Sequence, residues 1–517
     1  MKESKQNNKM KSLYKVLGIA IAAASMTACS DSFLDVTSPT QPSADEYFST
    51  KEHVAEAVIA AYDPIKWTDW GIGEYNPYQL MSDIMADDLW VGGSDPNDNA
   101  NWHLMANYSA TPLRVITGLW VEAYSGLKRC NDVFGYINAG IDDATETDIN
   151  QWKAQCYVLR AFYSNWLWKF YGNVPYYQEN LTSPYIADQI SADELYGYII
   201  KDIEDALALK ALPFRAADVD AGVITTAMAY MLYAEVVMYQ KDTARYPTAL
   251  NYMKEIINSP EYDLVADYGK IFLEEGEWGI ESIYEINYIS QNAIRSWGAP
   301  LNAGGTVLPT LISPNNWPTG SEGHNGGWGF CPVRATTYEM YSPDDARRDA
   351  TCWNAGATGV EYNKRYQDEG FFLEKYVAKA GGNDGQKADA DLNYNNNWRV
   401  YRYSETLLNA AELLIATGGS TSEAKGYLNQ VRKRAGLQTE LEPTLDNILQ
   451  ERRLEFVGEG KRYWDLIRTD KAATVLVPDN HPEGWGRTQT WSANKKHLPI
   501  PQSEIDKAQG TITQNPY

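Results

Sequence analysis

Histidine and cysteine are scarce in this chain, five of each in 517 residues. There is no Cys-x-x-Cys and no cluster of histidines, so the sequence offers no zinc site. Cys130 and Cys156 fall within helical patterns and read as small buried apolar residues. Cys331 and Cys352 lie in a loop-rich region, where an exported location permits a disulfide but the spacing demands none. Positive charge is also in deficit: 45 Lys and Arg stand against 68 Asp and Glu, a formal charge of −23. Nucleic-acid binding depends on Lys and Arg neutralising phosphates, so nucleic acid is disfavoured as a partner. Beyond the N-terminus no stretch reaches about eighteen apolar residues, and nothing there reads as a membrane-spanning helix. Gly-x-Ser-x-Gly, His-Glu-x-x-His and phosphate-loop motifs are all missing. Phenylalanine is the rare aromatic, 11 residues against 36 Tyr and 17 Trp. Tyr and Trp join a flat apolar face to a hydrogen-bonding edge, which suits helix interfaces and half-wet surfaces that meet sugars.

The N-terminus carries an export signal. Lys2, Lys5, Lys9, Lys11 and Lys15 make a basic start, and Val16 to Ala24 is apolar. That run is roughly half the length a membrane-spanning helix needs. Ser25-Met26-Thr27-Ala28 then leads to Cys29. Basic, apolar and small-residue regions in this order are the layout of a secretory signal. Small residues before a cysteine resemble a bacterial lipobox, in which the cysteine is diacylated and becomes residue one. Residues 1–28 are therefore read as a lipoprotein signal peptide and 29–50 as a polar, proline-containing tether. Met10 begins an equally good signal.

Hydrophobic content of 44% over the whole chain is that of a globular protein. Residues 53–62 read as a short helix and 67–110 as loop. Strong helical periodicity begins at Leu119. The next helix, about 151–171, keeps a 4-3-4-3-4 spacing through Trp152, Cys156, Leu159, Tyr163, Trp166 and Phe170, and the Gly172-Asn173-Val174-Pro175 turn stops it. Helices follow at 192–209, 224–240 and 246–258. Two helix pairs resemble tetratricopeptide repeats, with small residues where helices approach. Residues 280–288 alternate like a strand. The segments 313–330 and 381–398 are Gly/Asn-rich loops, and loops of that length are usually functional or disordered. Helices return at 399–417, 420–435 and about 445–457.

The C-terminal third makes the pattern recognisable. It contains ArgTyrSerGluThrLeuLeuAsnAlaAlaGlu (402–412), LeuAsnGlnValArgLysArgAlaGlyLeu (428–437) and GluArgArgLeuGluPheValGlyGluGlyLysArgTyrTrpAspLeuIleArg (451–468). HisLeuProIlePro (497–501) and GlnAsnProTyr (514–517) follow. The N-terminal half adds LeuTrpValGluAlaTyrSerGlyLeuLysArgCysAsn (119–131), LeuArgAlaPheTyr (159–163) and TyrGlyAsnValPro (171–175). In this order, behind a lipobox, these motifs resemble the SusD/RagB family of outer-membrane nutrient-binding lipoproteins. The resemblance implies a mainly α fold, with tetratricopeptide-like helix pairs packed against a loop-rich subdomain with minor β. It divides the mature chain into an N-terminal helical region (51–270) and a C-terminal region (271–517) that holds the loop-rich ligand subdomain at about 280–400. It implies a palmitate-bearing lipoprotein on the outer face of the outer membrane. Its partners would be a glycan and a SusC-like TonB-dependent transporter, and it would be neither an enzyme nor dependent on a cofactor.

Other readings stand beside this one. A RagB-like protein would capture peptide. A lipid-anchored all-helical glycosidase would need two carboxylates at a set separation, which one sequence does not measure. A pure scaffold would have no need of exposed Trp clusters. The mixed charges Arg452, Arg453, Glu455, Glu459, Arg462, Asp465 and Arg468 read as a partly buried ion network rather than a catalytic pair. Arg160 is read the same way.

Sugar recognition wants aromatic faces and polar side chains on loops held by a rigid scaffold. Three loop regions qualify. The first holds Trp67, Asp69, Trp70, Tyr75, Asp88, Trp90, Asn97, Asp98, Asn101 and Trp102. The second is Asn292, Arg295 and Trp297, and the third Asn315, Asn316, Trp317, His324, Asn325 and Trp328. The family's aromatic arc, carried over, points to Trp90 or Trp102, Trp297, and Trp317 or Trp328; Asn101 and Arg295 join them as polar candidates from the same loops, with Arg295 either meeting a carboxylated sugar or bracing a loop. Two acidic runs fail as calcium loops. Asp95-x-Asn97-x-Asn99 is followed by Ala100 where Gly belongs and Ala106 where Glu belongs, and Asp389-x-Asp391-x-Asn393 by Tyr394. No metal site is indicated.

Overall fold

The computed structural model describes residues 43–517. The signal peptide, Cys29 and most of the tether lie outside the described residues. The fold is mainly α, about 47% helical with little strand. None of the described helices is long and apolar enough to cross a membrane.

The helix Glu146–Tyr171 is the central element. Thr145 caps its start reciprocally with Asp148, which satisfies amides that have no partner inside the helix. The six residues of the 4-3-4-3-4 pattern are all buried. From Val158 to Tyr171 every residue is buried, polar ones included, so the second half of the helix is covered on all sides. It ends at Gly172, whose φ of +71° favours glycine. A Cβ there would meet the His497 ring at 2.4 Å. The C-terminal motifs close over this end. The Leu498 amide donates to the Phe170 carbonyl at 2.6 Å, and Asn515 Nδ2 donates to the Tyr171 carbonyl at 2.6 Å. Burial holds the His497 imidazole down at about 3, hence neutral.

Neighbouring helices pack in pairs around this centre. Gly118–Ala139 and Ala192–Ala208 both lie against Glu146–Tyr171. Thr226–Gln240 packs on Tyr246–Asn258, which in turn meets Tyr403–Ala416, and that helix pairs with Thr421–Arg434.

The charged motif forms a buried ion network. Arg452 Nε donates to Asp465 at 2.7 Å, and Arg468 holds the other Asp465 oxygen at 2.8 Å. Arg402 reaches Glu281 (2.6 Å), Glu455 (2.9 Å) and Glu459 (2.8 Å). Arg347 reaches Glu451 (2.7 Å), and Arg453 and Arg462 reach Asp87 (3.0 and 2.8 Å). Arg160 makes a two-pronged pair with Asp202 at 2.8 and 2.7 Å. Each carboxylate is matched by a guanidinium or ammonium, the condition under which buried charge is tolerated.

Two local expectations need correction, and one open question is answered. The segment 67–110 contains two helices, Tyr78–Asp83 and Ala100–Ala106; both are under two turns, too short for periodicity to register. The expected helix start at 399 is a strand, Trp398–Arg402, and the helix begins at Tyr403. That strand pairs antiparallel with Ser282–Ile286, joining Ser282 to Arg402 and Ile286 to Trp398. All five residues of each strand are buried, so alternation says nothing about their faces. Cys331 and Cys352 are buried free thiols.

The 280–400 region is loop-rich, with a second ladder between Cys352–Asn354 and Phe371–Leu373. The loop following Tyr78–Asp83 is stitched to it by bridges Leu89–Val333 and Gly92–Phe330. N-terminal and central loops therefore share one face.

Candidate functional site

Four aromatic rings gather on that face from three loops. Trp70 stacks on Tyr75, with centroids 4.4 Å apart. Trp297 meets Trp70 edge-on at 5.4 Å and stacks with Trp328 at 5.9 Å. Trp328 meets Tyr75 edge-on at 5.6 Å, which closes the circuit. Trp297 is 37% exposed, and the other three are half-buried. The rings thus form an open aromatic platform.

Each ring is set by its backbone. Trp70 ends the turn Asp63–Asp69, and the next residue must be glycine because a Cβ on Gly71 would lie 2.2 Å from Trp67 Cβ. The Tyr75 carbonyl accepts the Trp102 indole N–H at 2.9 Å. Trp297 rides a tight turn in which Ala299 donates to Ser296 at 3.0 Å. Its own amide donates to Asp389 Oδ2 at 2.8 Å. The Trp328 amide donates to the Thr310 carbonyl at 2.8 Å. At neighbouring Gly327 a Cβ would lie 2.2 Å from that same carbonyl.

The buried charge beneath the rings is paired. Arg295 Nη1 and Nη2 grip both oxygens of Asp69 at 2.8 and 2.7 Å. The same guanidinium donates to the carbonyls of Pro300 and Gly305, each at 2.8 Å. Burial alone would lower the Arg295 pKa, but the Asp69 carboxylate more than reverses this. The Tyr75 phenol is pushed up to about 12 by burial and then by Asp391, Asp69 and Asp98, so it stays a neutral donor.

The sequence-predicted residues divide between platform and scaffold. Trp297 and Trp328 are in the platform. Trp102 is 1% exposed and Trp317 3% exposed. Neither presents a face to solvent: Trp102 holds Tyr75 from below, and Trp317 donates to the Ser321 carbonyl at 3.0 Å and packs on Trp353. Trp90 is buried too, its indole N–H bonded to Glu369 at 2.7 Å and its face covered by the Arg334 guanidinium at 3.8 Å. Asn101 is half-buried and donates to the Val115 carbonyl at 3.3 Å. Arg295 is buried and committed to Asp69, so of its two readings the brace is the one the geometry fits, and it offers no free fork to a sugar acid. Trp70 and Tyr75 sit in the first loop region but outside the residues carried over from the family arc. The aromatic spacing of WTDWGIGEY is the signal that marks them. Among the described residues no group of three or more His, Cys, Asp or Glu side chains is placed to hold a metal ion.

Comparison with known proteins follows the same lines. A family model described as "SusD family" matches residues 315–517. Another, described as "Starch-binding associating with outer membrane", matches residues 32–230. The solved structure of surface glycan-binding protein A from Bacteroides thetaiotaomicron in complex with laminarihexaose is 59% identical, with a TM-score of 0.87 over 90% of this chain and 100% of that one. A laminarin-binding SusD-like protein is 27% identical, with a TM-score of 0.80 over 90% of this chain and 99% of its own. SusD-like protein P2 from Formosa agariphila is 24% identical, covering 91% of this chain and 94% of that protein.

Proposed function

This chain belongs to the SusD/RagB family, and from that premise we propose that it captures a laminarin-type glycan on the Trp70, Tyr75, Trp297 and Trp328 platform. The observation that carries the reading is the circuit of four rings on one open face. Pyranose rings present C–H faces that pack on indole and phenol faces, while hydroxyls take polar edges. The platform is held by backbone hydrogen bonds and by the Arg295–Asp69 pair, so little ordering cost falls on binding. The choice of laminarin-type sugar is supported by the high identity to a protein solved with laminarihexaose.

The task is binding and not hydrolysis. The buried carboxylate beneath the rings, Asp69, is engaged by Arg295, and the similar proteins solved with laminarihexaose or named for laminarin are binding proteins. In this reading the lipid on Cys29 anchors the chain to the outer membrane, and the captured glycan passes to a SusC-like TonB-dependent transporter. The family description of outer-membrane association supports the location.

Calorimetric titration of residues 30–517 with laminarihexaose tests the core of the proposal. Binding by the wild type, weakened roughly tenfold or more by Trp297→Ala or Trp328→Ala in a folded protein, is the expected result. Binding that ignores both substitutions would remove the platform from the site, and shortened products in the cell would replace capture with catalysis.

A further inference from the structure

A second aromatic group stands on the same face and has no part in the platform. Trp485 stacks on His481 with centroids 4.5 Å apart and planes 2° from parallel. Tyr366 meets Trp485 edge-on at 6.0 Å. Trp90 lies beneath, edge-on to His481 at 5.7 Å and to Trp485 at 6.4 Å. Trp90 is buried, whereas Trp485, His481 and Tyr366 are half-buried.

The loop that carries Trp485 is rigidly based. Asp479 and Arg487 exchange hydrogen bonds: the Asp479 amide donates to the Arg487 carbonyl at 2.8 Å, and the Arg487 amide to Asp479 Oδ2 at 2.8 Å. Arg334 holds Asp479 at 2.6 Å. The buried Arg487 side chain donates to the Ala106 and Ala86 carbonyls at 3.0 and 2.8 Å. Gly486, with φ +94°, closes the loop onto Trp90, where a Cβ would lie 2.7 Å from the indole. His481 Nε2 lies 3.2 Å from Glu369, whose other oxygen holds Trp90. The anchoring is thus complete without the outermost polar groups. Among the described residues neither the Trp485 indole N–H nor the Tyr366 hydroxyl has a hydrogen-bond partner.

Backbone pairing fixes the distance between the two groups. The Gly93 amide donates to the Gly329 carbonyl at 3.1 Å, and the Tyr366 amide to the Gly93 carbonyl at 3.0 Å. Tyr366 is therefore two strand spacings, about 10 Å, from the segment that carries Trp328. Arg365 spans the gap. Its aliphatic stem lies 3.2 Å from where a Gly329 Cβ would be, and its guanidinium is 3.3 Å from Asp98. Asp98 is near enough to Tyr75 to raise its pKa.

We propose that Trp485, His481 and Tyr366 form a second carbohydrate subsite, which takes neutral pyranose units of a long glycan beyond those held by the Trp70–Trp328 platform. The inference rests on the function proposed above. Its chemistry is the same: half-exposed flat rings, unused N–H and O–H donors at their edges, and carboxylates already engaged by Arg334, Arg365 and the Trp90 indole.

The test compares two probes, laminarihexaose and polymeric laminarin, on residues 30–517. Trp485→Ala should hold laminarihexaose within about twofold of wild type and lose roughly fivefold or more on the polymer. Retained hexaose binding reports that the variant is folded. Trp485→Phe, which keeps a flat ring, should recover part of the polymer affinity. Polymer affinity unchanged in Trp485→Ala overturns the second subsite and leaves the platform standing. An equal loss on both probes also overturns it, because the loop then serves only the first group. A wild type that binds neither probe overturns the function proposed above, and this inference with it.

Discussion

Arg295 and Asp69 lie 226 residues apart in the chain and meet as a two-pronged ion pair at 2.7 and 2.8 Å beneath the aromatic platform. Asp69 precedes Trp70, and Arg295 is two residues from Trp297. The pair therefore clamps the loops that carry two of the rings, and it also fixes the Val307 amide, which donates to Asp69 at 2.8 Å.

Breaking this clamp should cost both stability and binding. Asp69→Ala leaves a buried guanidinium without its counter-charge, a loss of about 3–5 kcal/mol. Laminarihexaose binding should fall with it, although neither residue faces the sugar. Arg295→Lys keeps the charge but not the fork and should give a smaller loss on both counts. Urea unfolding paired with calorimetry checks this. Full stability with lost binding in Asp69→Ala would mean that the carboxylate contacts the ligand directly.

The tryptophans should separate by role. Trp317→Ala empties a buried site and should cost about 3–5 kcal/mol. Trp297→Ala removes a ring that is 37% exposed and should change stability by less than about 1 kcal/mol while abolishing most glycan affinity. Thermal melts alongside titrations distinguish the two. Equal destabilisation by both would contradict the division between platform and scaffold.

The long helices and the ion network were legible because periodicity and motif order report on them directly. Trp152 to Phe170 shows this best: one face, regular spacing, all buried. The strand Trp398–Arg402 was not legible, because it runs without a break into the helix that begins at Tyr403. The site was half legible. Aromatic loops announced themselves, but burial did not: Trp102 and Trp297 look alike in a sequence, and only the packing of Ala100–Ala106 puts one inside. Arg295 likewise found its partner only through long-range folding.

Thiol chemistry gives a further check on the interior. Cys130, Cys156, Cys331 and Cys352 are all buried and free. Burial pushes the Cys331 and Cys352 thiols well up, which removes the reactive thiolate. Residues 30–517 should resist a thiol reagent when native and expose all four cysteines in denaturant. Mass spectrometry of the labelled protein reads the count. Only two labelled sites in denaturant without reductant would reveal a disulfide.

Acid stability should track the buried carboxylates. Burial pushes Asp465 up, but the Arg452 and Arg468 guanidiniums outweigh it and hold the group at about 2, against 3.8 ordinarily. Lys169 and Lys461 outweigh burial at Glu235 in the same way, again to about 2. A folded pKa below the unfolded one stabilises above the unfolded value, and the gain is lost as pH falls through the folded value. For Asp465 this amounts to about 2 kcal/mol, present above roughly pH 4 and gone below roughly pH 2. Glu277 has the opposite sign. Burial outweighs Arg399 and raises it to about 7, so its contribution is full below about pH 4.5 and falls as pH rises to about 7. Unfolding free energies of wild type and Asp465→Asn should therefore differ most at neutral pH and converge by about 2 kcal/mol towards pH 2. Glu277→Gln should flatten the wild-type decline between about pH 4.5 and 7. If wild type and Asp465→Asn give parallel curves, the Asp465 carboxyl titrates in the folded protein as it does in the unfolded chain, and its two arginines do not govern acid unfolding.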